Sequence, residues 1–208
     1  MTKLAILILV LAAAARSCDK ADFEKPQPDG VKNLVAMPLE LKGKYLNVED
    51  SGQMIVDDRS ILVHRSDRHS MHISQVDSVD RPKLRKDTTF YDKNVFLRLR
   101  LTGDSVRIIA SYDDTLLFLP GGDCLRKYGK DYILSKRLAD KKWDVRLVSV
   151  KSNKILLRST QTKEDIKSLR ALLSTNDSTL IFNPNRAQFD RFVKDGGFRL
   201  VETFRKAR

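Results

Sequence analysis

VFLRLRL at residues 95–101 and WDVRLVSV at residues 143–150 carry the period that decides the fold. In the first, Val95, Leu97, Leu99 and Leu101 fall on one face and Arg98 and Arg100 on the other; in the second, Trp143, Val145 and Leu147 alternate with Asp144 and Arg146. Successive side chains of a strand point to opposite faces. Alternation of this kind describes antiparallel strands with one buried and one solvated face, not the continuously apolar strands of a parallel doubly wound sheet.

The same period recurs in short segments on both sides, at 44–48, 53–56, 60–64, 71–76, 88–91, 105–111, 115–119, 131–136 and 154–159. Asp50-Ser51-Gly52, Asp57-Asp58, Thr102-Gly103-Asp104, Asp113-Asp114 and Ser152-Asn153 separate them, short breaks rich in turn-forming residues. Connections this short predict hairpins between neighbours, hence a meander. A longer turn, Pro120-Gly121-Gly122-Asp123, divides the strands into two blocks, each holding a related phrase: LKGKYLNV at 41–48 and KYGKDYILS at 127–135. A degenerate duplication and coincidence account for this equally well.

The last quarter turns helical. Thr162 caps TKEDIKSLRALL with Asp165 three residues on, and Ile166, Leu169, Leu172 and Leu173 share a face. After a strand at 179–182, Asn183 and Pro184 are placed as cap and first residue of a second helix striped by Phe189, Phe192 and Val193. Gly196-Gly197 stops it before a closing strand at 198–204. The expected fold is mainly β with two helices near the C-terminus, an antiparallel meander sheet or open β-barrel.

The N-terminus is of another kind. Lys3 precedes an apolar run from Leu4 to Ala15, the size of a secretory h-region and too short for a permanent transmembrane helix. Residues 1–17 are therefore read as a signal peptide. Ala12-x-Ala14 and Ala13-x-Ala15 fit ordinary signal peptidase, which leaves Cys18 unmodified. Alternatively the segment resembles the lipobox of bacterial lipoproteins, although Arg16 and Ala15 depart from its commonest pattern. That resemblance, the favoured reading, implies a diacylglyceryl thioether on Cys18 and cleavage just before it. Two acyl chains hold a protein on a membrane stably. Residues 18–38, polar and holding three prolines and a glycine, are read as a lipid-anchored tether, and 39–208 as a single β-rich domain.

Removing residues 1–17 takes Lys3 and Arg16 and lowers the formal net charge from +12 to +10. In an exported protein this charge points away from nucleic acid and toward an anionic envelope component or an acidic protein. Most of the cations alternate with apolar residues inside strands, as on a solvated sheet face, and aromatics are not interleaved with them in the manner of a stacking platform.

Chemistry is harder to find. His64, His69 and His72 lie close in sequence but lack metal-ligand spacing, so no metal or cofactor is expected. No Gly-x-Ser-x-Gly elbow exists. Cys124, in GGDCLRK, has no histidine beside it and reads as a small buried apolar residue, or as a disulfide partner of Cys18 if that cysteine is not acylated. Gly121-Gly122 precedes no helix, and Asp57-Asp58 and Asp113-Asp114 read as turn residues. Trp143, Tyr132, Phe189 and Phe192 are assigned to the core.

Asn183-Pro184, Phe189, Phe192-Val193, Gly196-Gly197-Phe198 and the closing strand, with the GKY opening at 43–45, WDVRLVSV and the TKEDIKSL beyond it, resemble a group of small uncharacterised bacterial envelope lipoproteins. The resemblance implies a fold and a location, not a reaction. The reading is an exported lipoprotein of the cell envelope, outer membrane favoured. It has no catalytic constellation and meets the membrane through its lipid; its exposed domain is a binding or structural module. The alternative is an open barrel carrying a small apolar or amphiphilic ligand.

Overall fold

A computed structural model describes residues 20–76, 87–92, 95–138, 142–160, 162–174 and 180–207. The protein is mainly β, with an open mixed sheet and two helices near the C-terminus. Its described residues divide into two compact units, a larger one within 18–63 and 115–208 and a smaller one within 64–114.

The strands are β1 (Asp22–Phe23), β2 (Gly43–Asn47), β3 (Gln53–Val56), β4 (Ser60–His72), β5 (Asp87–Asp92), β6 (Val95–Thr102), β7 (Ser105–Phe118), β8 (Cys124–Tyr128), β9 (Asp131–Arg137), β10 (Trp143–Lys151), β11 (Lys154–Ser159), β12 (Ile181–Phe182) and β13 (Arg199–Lys206). The helices are α1 (Lys163–Leu173) and α2 (Arg186–Lys194). The chain passes from the larger unit to the smaller within β4 and returns within β7.

In the larger unit the strand order is β12-β1-β10-β11-β13-β2-β3-β4, with β9 on the other side of β10 and β8 beside β9. From β1 through to β3, and from β10 out to β8, neighbours run antiparallel; β1 and β12 run parallel. The inner face packs Tyr45, Met54, Val63, Leu116, Leu117, Leu125, Leu134, Leu157 and Phe204 into one core, filled by side chains. Glu40 accepts from the Tyr132 hydroxyl, and Tyr45 donates its own to the Leu41 carbonyl at 3.0 Å. The loop before β2 is thereby fastened over that core.

The outer face of β9 and β10 is buried too. Ile133, Val145 and Leu147 meet Phe23 and Phe182, with Ile166 and Leu169 of α1 and Phe189 and Phe192 of α2. One buried face per strand is thus too few for β9 and β10. Val145 and Leu147 serve the outer core while Val148 serves the inner one.

Both helices begin as sequence chemistry dictates. Asp165 N donates to Thr162 Oγ1 at 3.1 Å and Thr162 N to Asp165 Oδ2 at 3.2 Å, a reciprocal cap. In α2 the cap is Asn185, two residues beyond the expected Asn183, because Gln188 is the residue that can close the box: Gln188 N donates to Asn185 Oδ1 at 3.0 Å. The helix ends where the glycines stand, with Gly196 at φ +80°. A Cβ on Gly197 would lie 2.1 Å from Phe192 Cε2, within van der Waals exclusion. Gly197→Ala is expected to destabilise by roughly 1–3 kcal/mol through forced repacking, read as a lowered midpoint in chemical denaturation.

The largest correction concerns residues 18–38. Those of them that are described form no tether. Ala21, Phe23 and Gln27 are fully buried and Met37 nearly so. Asp22 N donates to the Leu180 carbonyl at 2.8 Å and Leu34 N to the Leu125 carbonyl at 2.7 Å. Arg126 on β8 clamps the segment, donating through Nε to Asn33 Oδ1 at 2.8 Å and through one terminal nitrogen to the carbonyls of Pro26 at 2.5 Å and Pro28 at 2.7 Å.

In the smaller unit the strand order is β4-β7-β6-β5, with β7, β6 and β5 antiparallel to their neighbours in turn. Val76, Leu97, Leu99, Val106, Ile108 and Ala110 make a separate small core on one face. Asp113-Asp114 is not a turn, since β7 runs unbroken through it. The strand expected at 71–76 is instead the end of β4 and a 3-10 turn over Ile73–Gln75, capped by His72.

Candidate functional site

Cys18, the expected lipidation site, lies outside the described residues. The chain is held firmly from Lys20 onward. Lys20 Nζ stands 2.6 Å from Asp144 Oδ2, and the Arg146 guanidinium donates to the same oxygen at 2.9 and 3.0 Å. Burial pushes the Asp144 carboxyl upward, but Arg146 and Lys20 outweigh it and hold the group below its usual range.

The other sequence candidates do not converge. Cys124 is buried and free, its Sγ 3.8 Å from the Gly122 carbonyl. Burial pushes its thiol upward, with Arg126 only partly offsetting this, the reverse of what an activated nucleophile needs. His64, His69 and His72 are exposed on β4. His64 Nδ1 meets Asp113 Oδ1 at 2.8 Å, and His72 is occupied by Ser74. Among the described residues no group of three or more His, Cys, Asp or Glu is placed to hold a metal, and no helix is long and apolar enough to cross a membrane. Gly121 ends a 3-10 turn and Gly122 closes it at φ +92°. Beyond that turn Asp123 accepts from Phe118 N and Arg137 N, both at 2.7 Å; it is a structural corner.

The outer face of the smaller sheet has the character of a site. Leu97 and Leu99 turn inward, which leaves Phe96, Arg98 and Arg100 on the other face of β6. Register adds Ile109 and Arg107 of β7 opposite Arg98 and Arg100, and Tyr91 of β5 opposite Phe96. Contact between Ser66 and Ser111 hydroxyls at 3.3 Å places Ser66 on that face of β4, and Arg68 follows by the two-residue period. Tyr91 is 78% exposed and its ring lies 5.0 Å from that of Phe96 at 57°.

Arg100 and Arg107 stand directly opposite each other and both are exposed. Like charges in that position repel, and an anion between them removes the repulsion and can accept paired guanidinium hydrogen bonds. Of the acidic residues in register here, Asp87 neighbours Arg100 on β5, and Asp113 is taken up by His64. The face is a positive platform with an aromatic edge. The sequence showed the alternating arginines but not the aromatic pair, because Tyr91 and Phe96 meet only through the β5–β6 register.

Comparison with family models, with curated proteins and with solved structures finds no match to this chain.

Proposed function

We propose that the protein is an exported lipoprotein, anchored through Cys18 to a membrane of the bacterial cell envelope (the outer membrane favoured), and that it works as a non-enzymatic binding module for an anionic envelope component. The arginine face of the smaller unit carries the binding part of this reading: Arg100 opposite Arg107, Arg98 beside them and an exposed Tyr91. The signal-like run before Cys18 carries the anchoring part.

Two measurements test it. Intact mass of the mature chain is expected to show a diacylglyceryl increment that Cys18→Ser abolishes; a mature chain of bare sequence mass rejects the anchor. Crosslinking in intact envelopes is expected to recover a reproducible anionic partner, lost in Arg100→Glu with Arg107→Glu. Reversing two exposed charges that repel one another should leave folding stability within roughly 0.5 kcal/mol of the parent, so loss of the partner reports recognition. Recovery undiminished by the double variant rejects the face.

A further inference from the structure

We infer that a second face, the uncovered outer surface of the larger unit's sheet, lies against the anionic headgroups of the bilayer that holds the Cys18 lipid; this rests on the acylated reading of Cys18. The helices and β1 cover the outer face of β9 and β10. That surface continues over β11, β13, β2 and β3, where it carries large apolar side chains in the open: Leu46 is 43%, Val48 57%, Ile55 37% and Leu200 56% exposed.

Cations stand among them. Register sets Lys151 opposite Lys154, Lys154 opposite Arg205, Arg205 opposite Leu46, and Lys44 opposite Ile55. Lys44, Lys151, Lys154 and Arg205 are all exposed. A row of adjacent like charges is unfavourable in isolation, and apolar side chains interleaved with it gain nothing from water. A lipid surface satisfies both, since anionic headgroups neutralise the cations while the apolar side chains and lysine stems settle into the boundary beneath. An acidic protein would neutralise the charge but offer no reason for so many aliphatic side chains around it.

The anchor supplies the second, independent observation. Thr160, just past the end of β11, donates its hydroxyl to the Ala21 carbonyl at 3.4 Å, which sets the N-terminal segment at that end of β11. Three residues from Ala21 back to Cys18 span at most about 10 Å. The six residues of β11 extend about 20 Å along the face. An acylated Cys18 therefore keeps this unit within reach of the headgroups, with Leu200 toward the attachment end of the face and Lys151, Lys154 and Arg205 about a strand's length farther along it.

The test uses the full acylated chain in vesicles of phosphatidylglycerol and phosphatidylcholine, some lipids bearing headgroup spin labels. A fluorophore is placed at Leu46→Cys or, as control, at Lys167→Cys on the exposed side of α1; the remaining cysteine, Cys124, is buried. Position 46 is expected to be quenched by the labelled lipid and shielded from a water-soluble quencher, and position 167 the reverse. Lys154→Glu with Arg205→Glu is expected to abolish the difference while leaving the acyl mass increment in place. Absence of that increment defeats the anchor itself. With the increment present, equal exposure of the two positions defeats the docking alone, as does shielding of position 46 that the charge reversal does not alter. Shielding seen only in native envelopes and not in pure lipid assigns the face to a protein instead.

Discussion

Truncating Phe23 to alanine is expected to remove about 3–5 kcal/mol of stability, the cost of a large cavity in a packed core. Phe23 is fully buried in β1, its backbone lying between Trp143 of β10 and Phe182 of β12 and its ring 6.4 Å edge-on from Phe189. Denaturant unfolding of the mature chain measures the loss, with Val35→Ala as the control. Val35 is highly exposed in the same N-terminal stretch and its truncation should fall within about 0.5 kcal/mol of the parent. Were residues 18–38 a free tether, both substitutions would be silent. A silent Phe23→Ala would reinstate that reading and remove the short attachment on which membrane docking depends.

Asp144→Asn is the second large effect, and its size depends on pH. The carboxylate is nearly buried and joined to two cations, so uncoupling it from Lys20 and Arg146 should cost about 3 kcal/mol near neutral pH. Its folded pKa is depressed below the ordinary value of 3.8. The contribution is therefore fully present above that value and lost as pH falls through the folded pKa. Asp22 next to it is shifted the other way, chiefly by burial, and favours the folded state in acid, so it partly offsets the loss. Parent and variant should differ most in stability near pH 7 and converge below about pH 4. A gap that persists undiminished into acid would mean that the substitution acts through packing.

The sequence conveyed what was periodic. Alternation at 95–101 and 154–159 located β6 and β11 almost to the residue, and Thr162 with Asp165 placed the start of α1. It concealed what was non-local. Ala21, Phe23 and Met37 are isolated apolar residues in a polar stretch, and nothing local reveals that Arg126, about a hundred positions away, will hold the carbonyls between them. Burial of β10 on both faces did leave a trace, since Leu147 and Val148 are adjacent apolar residues of opposite parity. Alternation of Trp143, Val145 and Leu147 with Asp144 and Arg146 masked it. The arginine face was half legible in the same sense. Its charges follow from period two, but Arg100 against Arg107 and Tyr91 against Phe96 exist only once three strands are in register.

The smaller unit begins and ends inside strands rather than at the chain's ends. The chain leaves the larger core after Val63 and comes back to it at Leu116 and Leu117, and Leu119 N donates to the Arg59 carbonyl at 3.0 Å beside the point of departure. The inserted stretch brings its own core of Leu97, Leu99, Val106 and Ile108. Substitutions in the inserted stretch can therefore accumulate without disturbing the larger core. In a lineage whose surface chemistry changes, substitutions should gather between residues 64 and 114, while the positions around Lys20, Asp144 and Arg126 hold their identity.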